Sequence, residues 1–167
     1  MEVLSIINSG EYQFKNYTIL NEEEIELALD FRNQNREWMI NKEIITLVEH
    51  KNWIKSLANN NKTLYYLAFK EGVPFMSIDF HDIDISNKEA YWGYFLGDKT
   101  FKSEVLKIEK IIIEIAFKQL NLKKLLCVNA INNPVTNIHK FFGFKEDGIV
   151  QIENRDFLKM YLINEKD

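Results

Sequence analysis

A chain of 167 residues suits one domain with a single core, and 46% hydrophobic against 28% charged residues is an ordinary globular balance. A formal net charge of -4 argues against a nucleic-acid binder, which would carry a basic face, but not against a small anion held by a few local lysines. The lone cysteine, Cys127, permits no intramolecular disulfide and suits a reducing cytoplasm. The N-terminus shows no signal-peptide pattern, and "IIIEIAF", interrupted by Glu114, is too short to span a membrane.

Residues 12–20 alternate as a strand does. Residues 21–33 open with an Asn cap and acidic first-turn residues, and place Ile25, Leu29 and Arg32 at helical spacing. A second helix is expected over 46–60, with Thr46 and Glu49 as a capping box and Leu47, His50, Ile54 and Leu57 on one face. Strands follow at 63–70, 75–85 and 89–96. The strongest helix covers 104–120, where Ile108, Ile112, Ile115 and Leu120 trace a stripe widened by Ile111 and Ile113. Residues 123–130 read as a central strand, Pro134 starts a short helix, and "FKEDGIV" and "DFLKMYLI" close the chain as strands. The order β-α-α-β-β-β-α-β-α-β-β describes an α/β domain around one mixed sheet.

Several residues carry candidate chemistry. Arg32, Asn33, Trp38, Met39, His50 and Trp53 gather cationic, amide and flat apolar groups of the kind that hold a sugar nucleotide. Their plainer reading is that Met39 and Trp53 are core and His50 a hydrogen-bonded helix residue. On 75–85, strand alternation puts Ser77, Asp79 and His81 on one face. His81 has the intrinsic pKa of a general base, Asp79 could orient it or act through water, and Glu89 on the next strand is the second choice; an open, solvated sheet face is the alternative. His50, His81 and His139 lack metal-ligand spacing, so no metal is expected. Cys127, inside an apolar strand, reads as an inert buried thiol.

"NNPVTNIHKFFGF" places Asn132, Gly143 and Phe144 at the spacing of an Asn-x-x-Ala/Ser-…-Tyr-x-x-x-Gly-Phe signature, with Val135 at the small-residue position and His139 at the tyrosine. Together with "AYWGYFL", the long helix and "LLCVNA" in that order, it resembles the GNAT superfamily of acyl-CoA-dependent N-acetyltransferases. "FRNQNREWMINKEIITLVEHKNWIKSL" resembles the GNAT enzymes that acetylate amino groups on nucleotide-linked sugars. In particular it is similar to the pseudaminic-acid-pathway kind, which acts on UDP-4-amino-4,6-dideoxy-N-acetyl-β-L-altrosamine.

The resemblance implies a single GNAT domain over 1–167, with a mixed, mostly antiparallel sheet flanked by helices. It implies acetyl-CoA as co-substrate, a nucleotide-sugar partner, no nucleic-acid or membrane partner, and a homodimer as one way to cover a sheet edge. It assigns the cofactor to Phe95, Leu96, Lys99, Lys102, Ser103, Asn132 and Asn137, with backbone N–H groups near Tyr94–Leu96 polarising the thioester. The base falls among His81, Asp79 and Glu89, and His139 stands where the acid does. The acceptor falls to Arg32, Asn33, Trp38, Met39, His50, Trp53 and Ser77. One departure matters. The superfamily's pyrophosphate turn is glycine-rich, whereas residues 99–104 read Lys-Thr-Phe-Lys-Ser-Glu. Lys99 and Lys102 add point charge there, and Glu104 brings a negative charge towards a dianion. The rival reading is a non-catalytic binding module that has lost productive CoA binding.

Overall fold

The computed structural model describes residues 4–166. Eight strands form one sheet in the order β1-β2-β3-β4-β5-β6-β8-β7. They are β1 (Ile6–Ser9), β2 (Tyr12–Asn16), β3 (Leu64–Lys70), β4 (Val73–Asp84), β5 (Glu89–Leu96), β6 (Lys124–Ala130), β7 (Lys145–Ile152) and β8 (Arg155–Ile163). Every neighbouring pair is antiparallel except β5 and β6, which run parallel. The sheet is thus mixed and mostly antiparallel, with helices on both faces, as expected.

The helices are α1 (Glu22–Gln34), α2 (Leu47–Leu57), α3 (Val105–Glu114) and α4 (Val135–Phe141). Both N-terminal caps of the first pair are reciprocal. Asn21 accepts from the Glu24 amide while Glu24 accepts from the Asn21 amide, and Thr46 and Glu49 repeat the arrangement. Strand alternation sorts the core into two layers. One joins Tyr66, Ile78, Phe80 and Trp92 to Ile108 and Ile112 of α3; the other joins Leu67 and Phe69 to Phe31 of α1 and Ile54 and Leu57 of α2.

Three boundaries differ from expectation. The strand expected over 12–20 ends at Asn16, because the Asn16 side chain accepts from both the amide and the hydroxyl of Thr18 and turns the chain into a 3₁₀ turn at Tyr17–Ile19. β1 extends the sheet through a hairpin in which Gly10 takes a φ of 59°. The helix expected over 104–120 is a 3₁₀ segment (Lys99–Glu104), then α3, then a π turn (Ile115–Gln119) closed by Leu120 N–H to the Ile115 carbonyl.

One glycine sets the geometry after β5. A Cβ on Gly97 would fall 2.1 Å from the Phe31 ring, so only glycine lets α1 lie against the end of this strand.

Candidate active site

β5 and β6 are paired only from Glu89–Tyr91 to Lys124–Leu126. Beyond that, β5 stays with β4 as far as Leu96, and β6 stays with β8 as far as Ala130. The two central strands therefore part, and each presents an unpaired backbone edge to the gap. At ~3.3 Å per residue the five residues past Tyr91 give an arm of roughly 16 Å. Tyr94, Phe95 and Leu96, the segment assigned to thioester polarisation, lie on this arm.

On the α1/α2 face, the polar row of β4 stands one strand from the gap. Asp79 lies opposite Gly93 and His81 opposite Tyr91. The Asp79 Oδ2 and His81 Nδ1 atoms are 2.6 Å apart, and the His81 ring stacks on Tyr91. Burial raises the Asp79 pKa, while its bond to His81 acts in the opposite direction. Burial also disfavours the His81 imidazolium, but the hydrogen bond and charge of Asp79 outweigh it and the His81 pKa is raised. The His81 side chain is 42% exposed against 13% for Asp79, so His81 is the member that can exchange a proton with water.

A Cβ at Gly93, opposite Asp79, would make ordinary van der Waals contact with Asp79 Oδ1 at 3.4 Å. Ser77, expected to meet the acceptor, is instead 1% exposed and shares a 2.5 Å hydrogen bond with Tyr17, so its hydroxyl is engaged inside the protein. Glu89 lies at the closed end of the β5–β6 pair, opposite Lys124.

On the α3 face, the floor beneath the parting strands is polar and buried. Glu109 is 0% exposed; it accepts from Tyr94 Oη at 2.8 Å, and its other oxygen lies 2.7 Å from His139 Nδ1. The His139 ring packs against Trp92, Tyr94 and Phe144. Tyr94 is held far above its ordinary pKa by burial and by the Glu109 charge. Cys127 is buried and its thiol pushed up to about 12 by desolvation and by Glu109, which makes it inert as expected. Nothing in the sequence pairs Glu109 with His139, since they come together only when α3 and α4 pack on one face.

The glycine-free turn is capped from within: Asp98 accepts from the Thr100 amide at 3.0 Å and the Thr100 hydroxyl at 2.6 Å. Lys99, Lys102 and Ser103 are exposed. Glu104 turns away from any anion at this turn. It is buried, 2.6 Å from Lys70 Nζ, and accepts from the Tyr12 hydroxyl. These partners hold its carboxyl below the usual range. The expected repulsion from Glu104 is therefore neutralised inside the protein.

Asn132 and Asn137, at α4, line a cavity of ≈ 710 Å³ with Thr136, Lys140 and Gly148. None of its walls comes from β3, β4 or β5, so it is separate from the Asp79–His81 row. Among the described residues no cluster of His, Cys, Asp and Glu is arranged to hold a metal, and no helix is long and apolar enough to cross a membrane.

The residues expected to hold the acceptor divide into two groups. His50 is 4% exposed and packs with Tyr17, Trp53 and, through Trp53, Tyr65. Arg32 and Asn33 hold the loop that follows α1. Arg32 donates to the carbonyls of Asn41 (2.7 Å) and Glu43, and Asn33 exchanges two bonds with Ile45. Trp38 and Met39 sit half-buried on that loop.

No protein-family model matches the chain. It is 28% identical over 153 residues to acetyltransferase PseH of Campylobacter jejuni subsp. jejuni serotype O:23/36 (strain 81-176), covering 91% of this chain and 82% of the relative. The crystal structure of C. jejuni N-acetyltransferase PseH in complex with acetyl coenzyme A matches with a TM-score of 0.75 at 24% identity, over 92% of this chain and 99% of that one. Spermidine N-acetyltransferase from Vibrio cholerae, in complex with CoA and spermine, matches with a TM-score of 0.82 at 16% identity, over 95% and 98%.

Proposed function

We propose that this chain, which has the GNAT fold and resembles acetyltransferase PseH, moves an acetyl group from acetyl-CoA to the amino group of a nucleotide-linked amino sugar. The acceptor is of the UDP-4-amino-4,6-dideoxy-N-acetyl-β-L-altrosamine type, and transfer is direct. The observation that carries this reading is the register of β4 on β5, which sets the Asp79–His81 pair one strand from the gap between β5 and β6. The amine nitrogen attacks the thioester carbonyl, the C–N bond forms, and the C–S bond breaks with its electron pair on sulfur. The ammonium proton passes to Asp79–His81, and the thiolate takes a proton from His139, which Glu109 orients. Open backbone N–H groups on the β5 arm polarise the carbonyl.

The sign of the pH dependence follows from His81. A base must be deprotonated, and the Asp79 partner raises the His81 pKa above 6.5, so kcat/KM should fall as pH drops through a value above 6.5. His81→Gln should lose that limb while its affinity for acetyl-CoA is unchanged. An identical limb in the variant would remove His81 from the role.

The capped, glycine-free turn favours a second reading, a GNAT-fold binding module with a degenerate CoA site. Calorimetric titration with acetyl-CoA separates the two. Saturable binding at millimolar ligand or below, with a mass gain of one acetyl group on the amino sugar, supports the enzyme; no binding supports the module.

A further inference from the structure

The loop after α1 spans the mouth of the gap between β5 and β6, and its two fastenings lie on opposite arms. At the α1 end, the Asn35 side chain donates to the carbonyl of Leu96, the last residue of β5, at 2.9 Å. At the far end, the Arg155 guanidinium donates to the carbonyls of Met39 (2.5 Å), Ile40 (3.2 Å) and Glu37 (3.3 Å). Arg155 opens β8, and β8 pairs with the end of β6 at Phe157 and Ala130. The Ile131 amide also donates to the Asp156 carbonyl, tying the end of β6 to the residue beside Arg155. Between Asn35 and Met39, therefore, the main chain passes from the β5 arm to the β6–β8 arm. It then returns to α1, where Arg32 and Asn33 receive it.

Arg155 suits this task by chemistry. A planar guanidinium holds five donors in a rigid fork and so fixes the angles to three carbonyls, whereas the three donors of an ammonium rotate on a flexible stem. The group also rests on the Phe157 ring, 4.9 Å from its centroid, which restricts its rotation. Its partners are all backbone carbonyls, so it fixes the path of the strap whatever side chains the strap carries. Those side chains include Trp38 and Met39, and the exposed Ile40 and Ile44.

We infer that Arg155 is a positioning residue for the acceptor: it latches the 36–45 strap across the open ends of β5 and β6, and so holds one wall of the acceptor site on the α1/α2 face in place. The inference rests on the amino-sugar reading for the identity of the acceptor, but not for the latch itself. A fixed wall lowers the ordering cost of binding, so loss of the latch should act on acceptor KM before it acts on the cofactor.

The test compares Arg155→Ala and Arg155→Lys with the parent protein. Backbone hydrogen exchange without ligands should rise in residues 36–45 in the alanine variant, with protection of β3, β4 and α3 unchanged. KM for UDP-4-amino-4,6-dideoxy-N-acetyl-β-L-altrosamine should rise about tenfold or more, while the calorimetric Kd for acetyl-CoA stays within about twofold. The lysine variant keeps the charge and should recover only part of the loss. Unchanged exchange in 36–45 would overturn the latch. Faster exchange with unchanged acceptor KM, or equal losses for acceptor and cofactor, would overturn the positioning role. If the parent acetylates no amino sugar, the acceptor reading fails by itself and the exchange data alone decide the latch.

Discussion

At 4% exposure, with its ring edge-on to Tyr17, His50 has a pKa lowered to about 4. Burial is the main cause; a bond to the Ile25 backbone favours the proton, and the Arg32 charge opposes it. Its Nε2 is buried with no partner among the described residues. In the unfolded chain the ring titrates near its ordinary 6.5. Between those values the unfolded state binds the proton and the folded state does not, so stability is lost as pH falls from 6.5 towards 4, by about 3 kcal/mol at most. His81 works in a different window: its raised pKa adds stability that is fully present below 6.5 and lost as pH rises through the folded value. Asp79, also raised, offsets part of the His50 loss at the acidic end. His50→Phe should therefore flatten the fall in melting temperature between pH 6.5 and 4. An unchanged slope would assign that fall to other groups. The sequence offered His50 equally as a pocket or a helix residue, because periodicity shows which face a residue shares but not what covers it.

Between Lys99 and Val105 the chain forms a self-capped 3₁₀ segment, and the fate of its charges changes what a substitution there does. Read alone, Glu104 would repel a pyrophosphate, and Glu104→Gln would tighten acetyl-CoA binding. In the fold its carboxylate satisfies Lys70 and Tyr12 instead. Glu104→Gln should thus leave acetyl-CoA affinity unchanged and cost about 1–3 kcal/mol in chemical denaturation, because a mostly buried charge-assisted pair loses one member. Lys102, exposed on the same segment, should behave oppositely: Lys102→Glu leaves stability alone and weakens acetyl-CoA roughly tenfold, an effect that shrinks with added salt. Tighter binding by the Glu104 variant would mean that its carboxylate reaches the ligand. At this scale the sequence was legible wherever a local rule operates: the Asn21 cap, the Thr46–Glu49 capping box and the β5 limits were readable from neighbours in the chain. The π turn after α3 and the Phe31 ring over Gly97 were not, since both answer to packing between elements far apart in sequence.

Across the whole molecule, the order of elements from β2 onwards was readable from hydrophobic periodicity, but the edge strand β1 and the parting of β5 from β6 were not. A parallel pair that is joined for three residues and then opens leaves no mark on the alternation of either strand. The same holds for the groups that meet beneath it: Tyr94, Glu109 and His139 come from β5, α3 and α4. Glu109 and His139 sit at 0% and 2% exposure. A buried polar network of this kind contributes little net stability, because desolvation offsets its attraction, yet breaking one member leaves the others unsatisfied. Glu109→Leu should therefore destabilise the protein by about 3–5 kcal/mol, leaving the Tyr94 hydroxyl and the His139 ring without their acceptor. Adding Tyr94→Phe and His139→Phe to the same chain removes both orphaned groups and should recover most of the loss, while acetyl transfer stays abolished. A triple variant as unstable as the single one would show instead that Glu109 is held for packing. Recovery of both stability and activity would remove the network from the chemistry, because a floor made wholly apolar cannot return a proton to the thiolate.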